Sequence, residues 1–159
     1  MLYYRIAGAV IVALSGAAGA YILNASARTA LVQTEAFISL LRSLRSDIEC
    51  FAMPIPKALA RCSKELYRSC GYLSDVPPSG IDALLSGCKI SDAELRRLLE
   101  SFSGDVGRGY RDGQLALFDY CLSQLEARRK RLCEGLPAKR RMNSALCLSG
   151  ALAIVILLI

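Results

Sequence analysis

The chain has 159 residues and a formal net charge of +6, and 53% of its residues are hydrophobic. This length allows one compact domain together with membrane segments. The sequence contains no histidine, which excludes histidine general bases, imidazole metal ligands and the catalytic triads built on them. A net positive charge can indicate a nucleic-acid partner. Here the cations concentrate beside an apolar segment, and attraction to anionic lipid explains this position better. We therefore expect no nucleic-acid partner.

The first apolar segment, Ile6 to Leu23, has eighteen residues without a charge, which is the lower limit for spanning a bilayer. We predict that residues 1–23 form an N-terminal transmembrane helix. A cleaved signal peptide is the rival interpretation, because Arg5, the apolar run and Ala18-Gly19-Ala20 also fit that pattern. Cleavage would make the protein an exported domain with a C-terminal membrane anchor.

A long amphipathic helix is predicted from Thr29 to Phe51. Its apolar residues recur at intervals of three and four and should pack in a core; they include Phe37, Leu40, Leu44 and Ile48. Pro54 and Pro56 should end this helix and begin a second one that runs to Cys70. Together the two helices would form a helical hairpin.

The middle of the chain predicts two more helices and a turn. A short helix should contain Ile81 and Leu84, and a possible capping box of Ser91 with Glu94 should open a second helix that extends to Phe102. Glycines then follow at positions 104, 107, 109 and 113. A phosphate-binding loop would need a Gly-Lys-Ser/Thr ending after a strand, so we interpret these glycines as a tight turn between helices.

The last predicted packing helix is marked by apolar residues at alternating intervals of three and four, namely Leu115, Phe118, Leu122 and Leu125. This stripe could pair with a second copy of the chain or fold back on the stripe of residues 37–51. The second arrangement is the default inside a small domain. We expect Gly135-Leu136-Pro137 to break or kink the helix.

Two clusters of cations precede a second uncharged run, residues 142–159, which we predict to be a C-terminal transmembrane helix. The clusters contain Arg128, Arg129 and Arg131, and then Lys139, Arg140 and Arg141. Cations beside a membrane segment resist translocation, so residues 24–141 should form a cytoplasmic domain between the two spans. We interpret the second cluster as setting this topology and contacting lipid.

Seven cysteines would suggest disulfides in a secreted chain, but their odd number and the position of one in the last apolar run favour reduced thiols. A four-cysteine zinc site is poorly supported, because no two cysteines have the close spacing of a zinc-binding turn. We expect no metal, no cofactor and no catalytic site.

Three places resemble a known family: the N-terminal apolar run that leads through residues 41–49 into residues 53–59, the segment 102–114, and the long charged helix before the C-terminal apolar run. Residues 53–59, Met-Pro-Ile-Pro-Lys-Ala-Leu, are similar to a Thr-Pro-Leu-Pro-Glu-Ala-Leu turn, and residues 102–114 are similar to a Phe-Gly-x-x-Leu-Gly-x-Ser-Asp segment that ends in Gln. The matching positions include Pro54, Pro56, Phe102, Gly107 and Gln114. With the apolar ends, this order of features resembles the stage III sporulation protein AB family.

The resemblance implies an all-α protein with a cytoplasmic bundle of about five helices, similar to platform proteins of type II secretion and type IV pilus machines. It implies a non-enzymatic scaffold in the membrane complex that joins the mother cell to the forespore. Its partners would be other subunits of that complex, a stage III AA ATPase and a possible second copy of the chain. As a hypothesis, Arg128, Arg129 and Arg131 hold an acidic face of the ATPase; the alternative is that they form a solvated helix face. A membrane-anchored regulator that uses only the basic cluster is the other functional interpretation.

Overall fold

The computed structural model describes the backbone of residues 2–107 and 109–158, and the side chains of residues 25–107 and 109–135 with a few isolated positions beyond them. The described backbone is helical, with the elements α1 (Leu2–Phe51), α2 (Ile55–Ala60), α3 (Lys64–Cys70), α4 (Ile81–Gly87), α5 (Ala93–Asp105) and α6 (Arg111–Leu158). Over these residues its only extended pairing is an isolated antiparallel bridge between Tyr72 and Cys88. The all-α class is therefore confirmed.

The chain divides into two compact units, one formed by residues 1–28 with 132–159 and the other by residues 29–131. The candidate membrane spans, residues 1–23 and 142–159, fall almost wholly outside the positions whose side chains are described, as do Lys139, Arg140 and Arg141. Within the described part of the chain, no helix is long and apolar enough to cross a bilayer. The flanking transmembrane helices and the domain boundaries stay predictions.

Within residues 29–131, α1 and α6 run antiparallel. Arg42 pairs with Glu126, and the Arg45 guanidinium donates to the Asp119 carboxylate at 2.6 Å. Arg111 donates to the backbone carbonyl oxygen of Glu49. Residue numbers thus rise along α1 as those of their partners fall along α6. These contacts are exposed and contribute little to stability, so the packing between the helices depends on the apolar side chains beneath them.

The core of this unit draws side chains from all six helices. Phe37, Leu40, Leu44 and Ile48 of α1 are buried, and so are Phe118, Leu122 and Leu125 of α6, whereas Leu115 is partly buried against them. The Phe102 ring of α5 meets the Phe118 ring edge to face, with centroids 5.0 Å apart. The two apolar stripes therefore lie in one core within a single chain. Burial of each large apolar side chain contributes about 1.5 to 3 kcal/mol to the free energy of folding.

The predicted second helix is in fact two short helices, α2 and α3, separated at residues 61–63. Ser63 has extended backbone angles and its hydroxyl accepts a hydrogen bond from the Leu66 N–H at 3.3 Å, so it begins a new helix. The hydroxyl of Tyr67 donates to the carbonyl oxygen of Leu59, which joins the two pieces. The periodicity of the apolar residues did not distinguish a broken helix from a continuous one.

The predicted cap of α5 was wrong by one residue. Asp92 is the N-cap, and its carboxylate accepts from the Glu94 N–H at 3.0 Å. The backbone N–H of Ser91 instead donates to the side-chain oxygen of Gln33, whose amide nitrogen donates to the carbonyl oxygen of Lys89 at 2.7 Å. Because Gln33 is buried and needs both partners, residues 89–91 stay outside the helix, which begins at Ala93.

Of the break or kink expected at residues 135–137, the break is wrong, because α6 continues through Pro137. The kink stays a prediction. A proline removes one helical hydrogen bond, but the bonds on either side can continue the helix. The turn between α5 and α6 is shorter than the spread of its glycines: Gly104 lies inside α5 and Gly113 inside α6. Gly107 and Gly109 have φ of +86° and +149°, a region where glycine is favoured.

Candidate docking site

Arg128 of α6 joins the start of α5 through a largely enclosed ion pair. Its Nε donates to the Asp92 carboxylate at 3.1 Å, its Nη2 contacts the same oxygen, and its Nη1 contacts the Glu94 carboxylate. The side chains of Arg128 and Asp92 are only 10% and 13% exposed. Asp92 therefore caps α5 and fixes this helix to α6 at the same time.

The surroundings keep both members of the pair charged. Burial by itself would raise the pKa of Asp92, but hydrogen bonds from Arg128 and the Glu94 N–H, with the Arg128 charge, lower the pKa below its usual value. Burial likewise opposes the charge of Arg128, whereas hydrogen bonds to Asp92 and Glu94 raise its pKa. A paired, hydrogen-bonded geometry is the condition under which an enclosed ion pair is tolerated.

The three arginines that sequence reasoning grouped together do not form one surface. Arg128 is internal and already engaged, which corrects both interpretations of its side chain: it is neither an exposed docking cation nor part of a solvated face. Arg129 and Arg131 are exposed, and Arg131 approaches Glu94 at 3.6 Å. Docking of a partner on this cluster stays a prediction, now for Arg129 and Arg131 alone.

A shallow pocket of about 270 Å³ opens between α5 and α6 beside this ion pair. Its lining combines cationic, amide and apolar groups, and consists of Glu94, Arg97, Leu98, Gln124, Arg128 and Arg131. Sequence reasoning missed Asp92, Glu94 and Arg97 as members of this site. A signal was present, since Cys121, Leu125 and Arg128 follow one helical face and place the arginine on the buried stripe.

The residues that matched the family pattern gather at the other end of this unit. The side-chain oxygen of Gln114 accepts from the Gly107 N–H at 3.2 Å and so holds the turn before α6. Gln114 and Pro54 line one open pocket of about 290 Å³, and Pro54 is the N-cap of α2. Phe102 lies in the core and Pro56 is exposed. The structure thus brings together two of the segments that carry the resemblance.

The buried cysteines pack in the core. Burial raises the pKa of Cys88 to about 11 and that of Cys121 to about 12, so these thiols stay protonated at neutral pH. Among the residues that the structure describes, no three Cys, Asp or Glu side chains are placed to hold a metal ion.

The fold and these sites define a small all-helical protein with an internal ion pair and a basic pocket between its last two helices. The family model for stage III sporulation protein AB matches residues 79–159, slightly more than half of the chain and all of α4 to α6. The chain belongs to this family, which implies a role in stage III of sporulation. Searches of curated proteins and of solved structures gave no match.

Proposed function

We propose that this protein is a non-enzymatic platform component of the secretion-like channel complex between mother cell and forespore. In this role it couples a cytoplasmic ATPase of the stage III AA type to the assembly in the membrane. The helical unit of residues 29–131 lies in the mother-cell cytoplasm, and the protein is anchored on the mother-cell side of the forespore envelope.

The observation that carries this proposal is the family match over α4 to α6, which includes both sides of the pocket between α5 and α6. The polar groups of this region act between helices: Asp92 and Arg128 join α5 to α6, and Gln33 joins α1 to residues 89–91. Such contacts hold a fixed helical surface, as a platform that transmits force to a partner requires.

The membrane part of the proposal is supported by the sequence. Two uncharged runs of bilayer length lie at residues 6–23 and 142–159, and the second follows Lys139, Arg140 and Arg141. The exposed Arg129 and Arg131 also fit the second candidate function, a membrane-anchored regulator that binds anionic lipid. The two functions differ in whether a protein partner is retained.

Purification of the tagged full-length protein from sporulating cells tests the proposal. The stage III AA ATPase and other subunits of the channel complex should co-purify, whereas a tagged membrane protein of unrelated family should not retain them. Recovery of the protein with anionic lipid but without any of these subunits would contradict the platform function and favour the regulator.

A further inference from the structure

The pocket between α5 and α6 presents two guanidinium groups that the fold itself does not require. Arg97 is exposed and, among the residues that the structure describes, makes no ion pair. Arg131 has a side chain that is 65% exposed, and its approach to Glu94 at 3.6 Å is a surface pair worth little. Arg97 can therefore bind a new partner, and Arg131 can exchange Glu94 for one, without disturbing the helix packing.

The other side chains of the pocket are engaged by the fold or uncharged. Arg128 is held by Asp92 and Glu94 and forms one wall, while the partly buried Leu98 supplies an apolar surface and Gln124 supplies an amide. A pocket with two available guanidiniums, an amide and an apolar surface is suited to a carboxylate next to an apolar side chain, because guanidinium binds carboxylate through paired hydrogen bonds.

We propose that this pocket binds an acidic segment of the partner ATPase, with Arg97 and Arg131 as the residues that receive its carboxylates. The inference rests on the proposed function and assigns the surface through which the ATPase is held. It differs from a simple basic cluster on α6, because half of the surface comes from α5 and because Arg128 serves only as its wall.

The chemistry of the pocket favours a protein carboxylate over a lipid phosphate. Glu94 lines the same pocket, and its carboxylate is 61% exposed beside Arg131. A phosphate headgroup would bring a bulky anion close to the Glu94 carboxylate and be repelled by it. A smaller carboxylate from the partner can instead replace Glu94 on Arg131, and Glu94 then stays paired with Arg128. The alternative of lipid binding is separated by the experiment.

The experiment uses the full-length protein in lipid nanodiscs and the purified stage III AA ATPase as the probe. The double variant Arg97→Glu/Arg131→Glu should weaken ATPase binding at least about tenfold, because two attractive contacts become repulsive. The matched control, Lys64→Glu/Arg68→Glu, makes the same change in net charge at two exposed cations of α3, of which Arg68 forms a weak surface pair with Asp75, and it should bind as the parent does.

The outcomes separate the inference from the function on which it rests. If the parent binds the ATPase and the Arg97/Arg131 variant binds equally well with an unchanged melting temperature, the assignment of the pocket is wrong and the platform function stands. If the parent does not bind the ATPase, both are wrong. If the Arg97/Arg131 variant loses ATPase binding in nanodiscs that contain anionic phosphatidylglycerol but keeps it in phosphatidylcholine nanodiscs, the arginines act on lipid and the inference is overturned.

Discussion

Asp92 has two structural roles at the scale of single residues, as the cap of α5 and as the partner of Arg128. Replacing Asp92 by Ala removes the cap and leaves an enclosed guanidinium without its main partner. We expect a loss of about 2 to 4 kcal/mol in the free energy of unfolding, above the roughly 1 kcal/mol of a cap alone. Denaturant titration of the purified full-length protein measures this loss.

The matched control for Asp92→Ala is Arg96→Ala, which breaks an exposed pair with Glu100 on the same helix. This change should cost about 0.5 kcal/mol or less, because exposed pairs between residues four apart are weak. Equal losses for the two variants would show that the pair of Asp92 with Arg128 has no special structural role.

The lowered pKa of Asp92 predicts a pH dependence. A carboxyl group whose pKa is lower in the folded state stabilises that state above its unfolded pKa of about 3.9, and the stabilisation is lost as the pH falls through the folded value. The melting temperature of Asp92→Asn should therefore lie below that of the parent at pH 7, and the difference should shrink below about pH 4. A difference that stays constant down to about pH 2 would contradict this account.

The sequence predicted residues of the apolar stripes well and the ion pair poorly. Leu44 and Leu125 were found because their spacing repeats over several turns of a helix. Asp92 and Arg128 lie 36 positions apart, and no local pattern shows that their side chains meet. Arg128 was grouped with its neighbours because the four cations are consecutive in the sequence. Whether each one is buried depends instead on the helix face on which it lies.

At the scale of elements, the connection between α3 and α4 depends on Gly71. This glycine ends α3 with φ of +90°, and a Cβ atom there would lie 2.6 Å from the amide nitrogen of Gln33 and 2.9 Å from the carbonyl oxygen of Lys89. Gly71→Ala should thus cost about 2 to 3 kcal/mol, since the left-handed backbone alone costs about 1 to 2 and the backbone of Lys89 must also shift.

Gly80→Ala is the matched control for this change. Gly80 has an extended backbone with φ of −171°, and a Cβ atom there would meet no heavy atom within 4 Å. Its replacement should leave the melting temperature within about 2 °C of the parent, because it adds neither strain nor a clash. If Gly71→Ala melted like Gly80→Ala, the packing of Gln33 against residues 89–91 would be wrong.

Helix existence was easier to predict than helix limits. The short helix α4 and the helix α5 were confirmed, but the division between α2 and α3 depends on one serine cap and the start of α5 depends on Gln33, which is 58 positions before Ser91. The Gln33 contact is tertiary and has no local signature, whereas the Ser63 cap is local and is of a type that sequence can indicate. The expected break at Pro137 is absent for a different reason, because a proline inside a helix removes one hydrogen bond and can kink the helix without ending it.

At the scale of the whole molecule, the membrane topology can be tested at Cys50. This thiol is exposed at the end of α1, whereas Cys121 is 1% exposed and is a poor probe of topology. A membrane-impermeant maleimide should label the protein only after sporulating cells are permeabilised, and Cys50→Ser should reduce that labelling. Labelling of Cys50 in intact cells would instead place the domain outside and favour a cleaved signal peptide.

The proposed function makes the protein the membrane element that holds a cytoplasmic ATPase. The most direct test is flotation of the purified stage III AA ATPase with liposomes that contain the full-length protein. The account predicts that the ATPase floats with these liposomes and stays in the soluble fraction with protein-free liposomes of the same lipid composition. An ATPase that stays soluble although the full-length protein is inserted and folded would contradict the central claim.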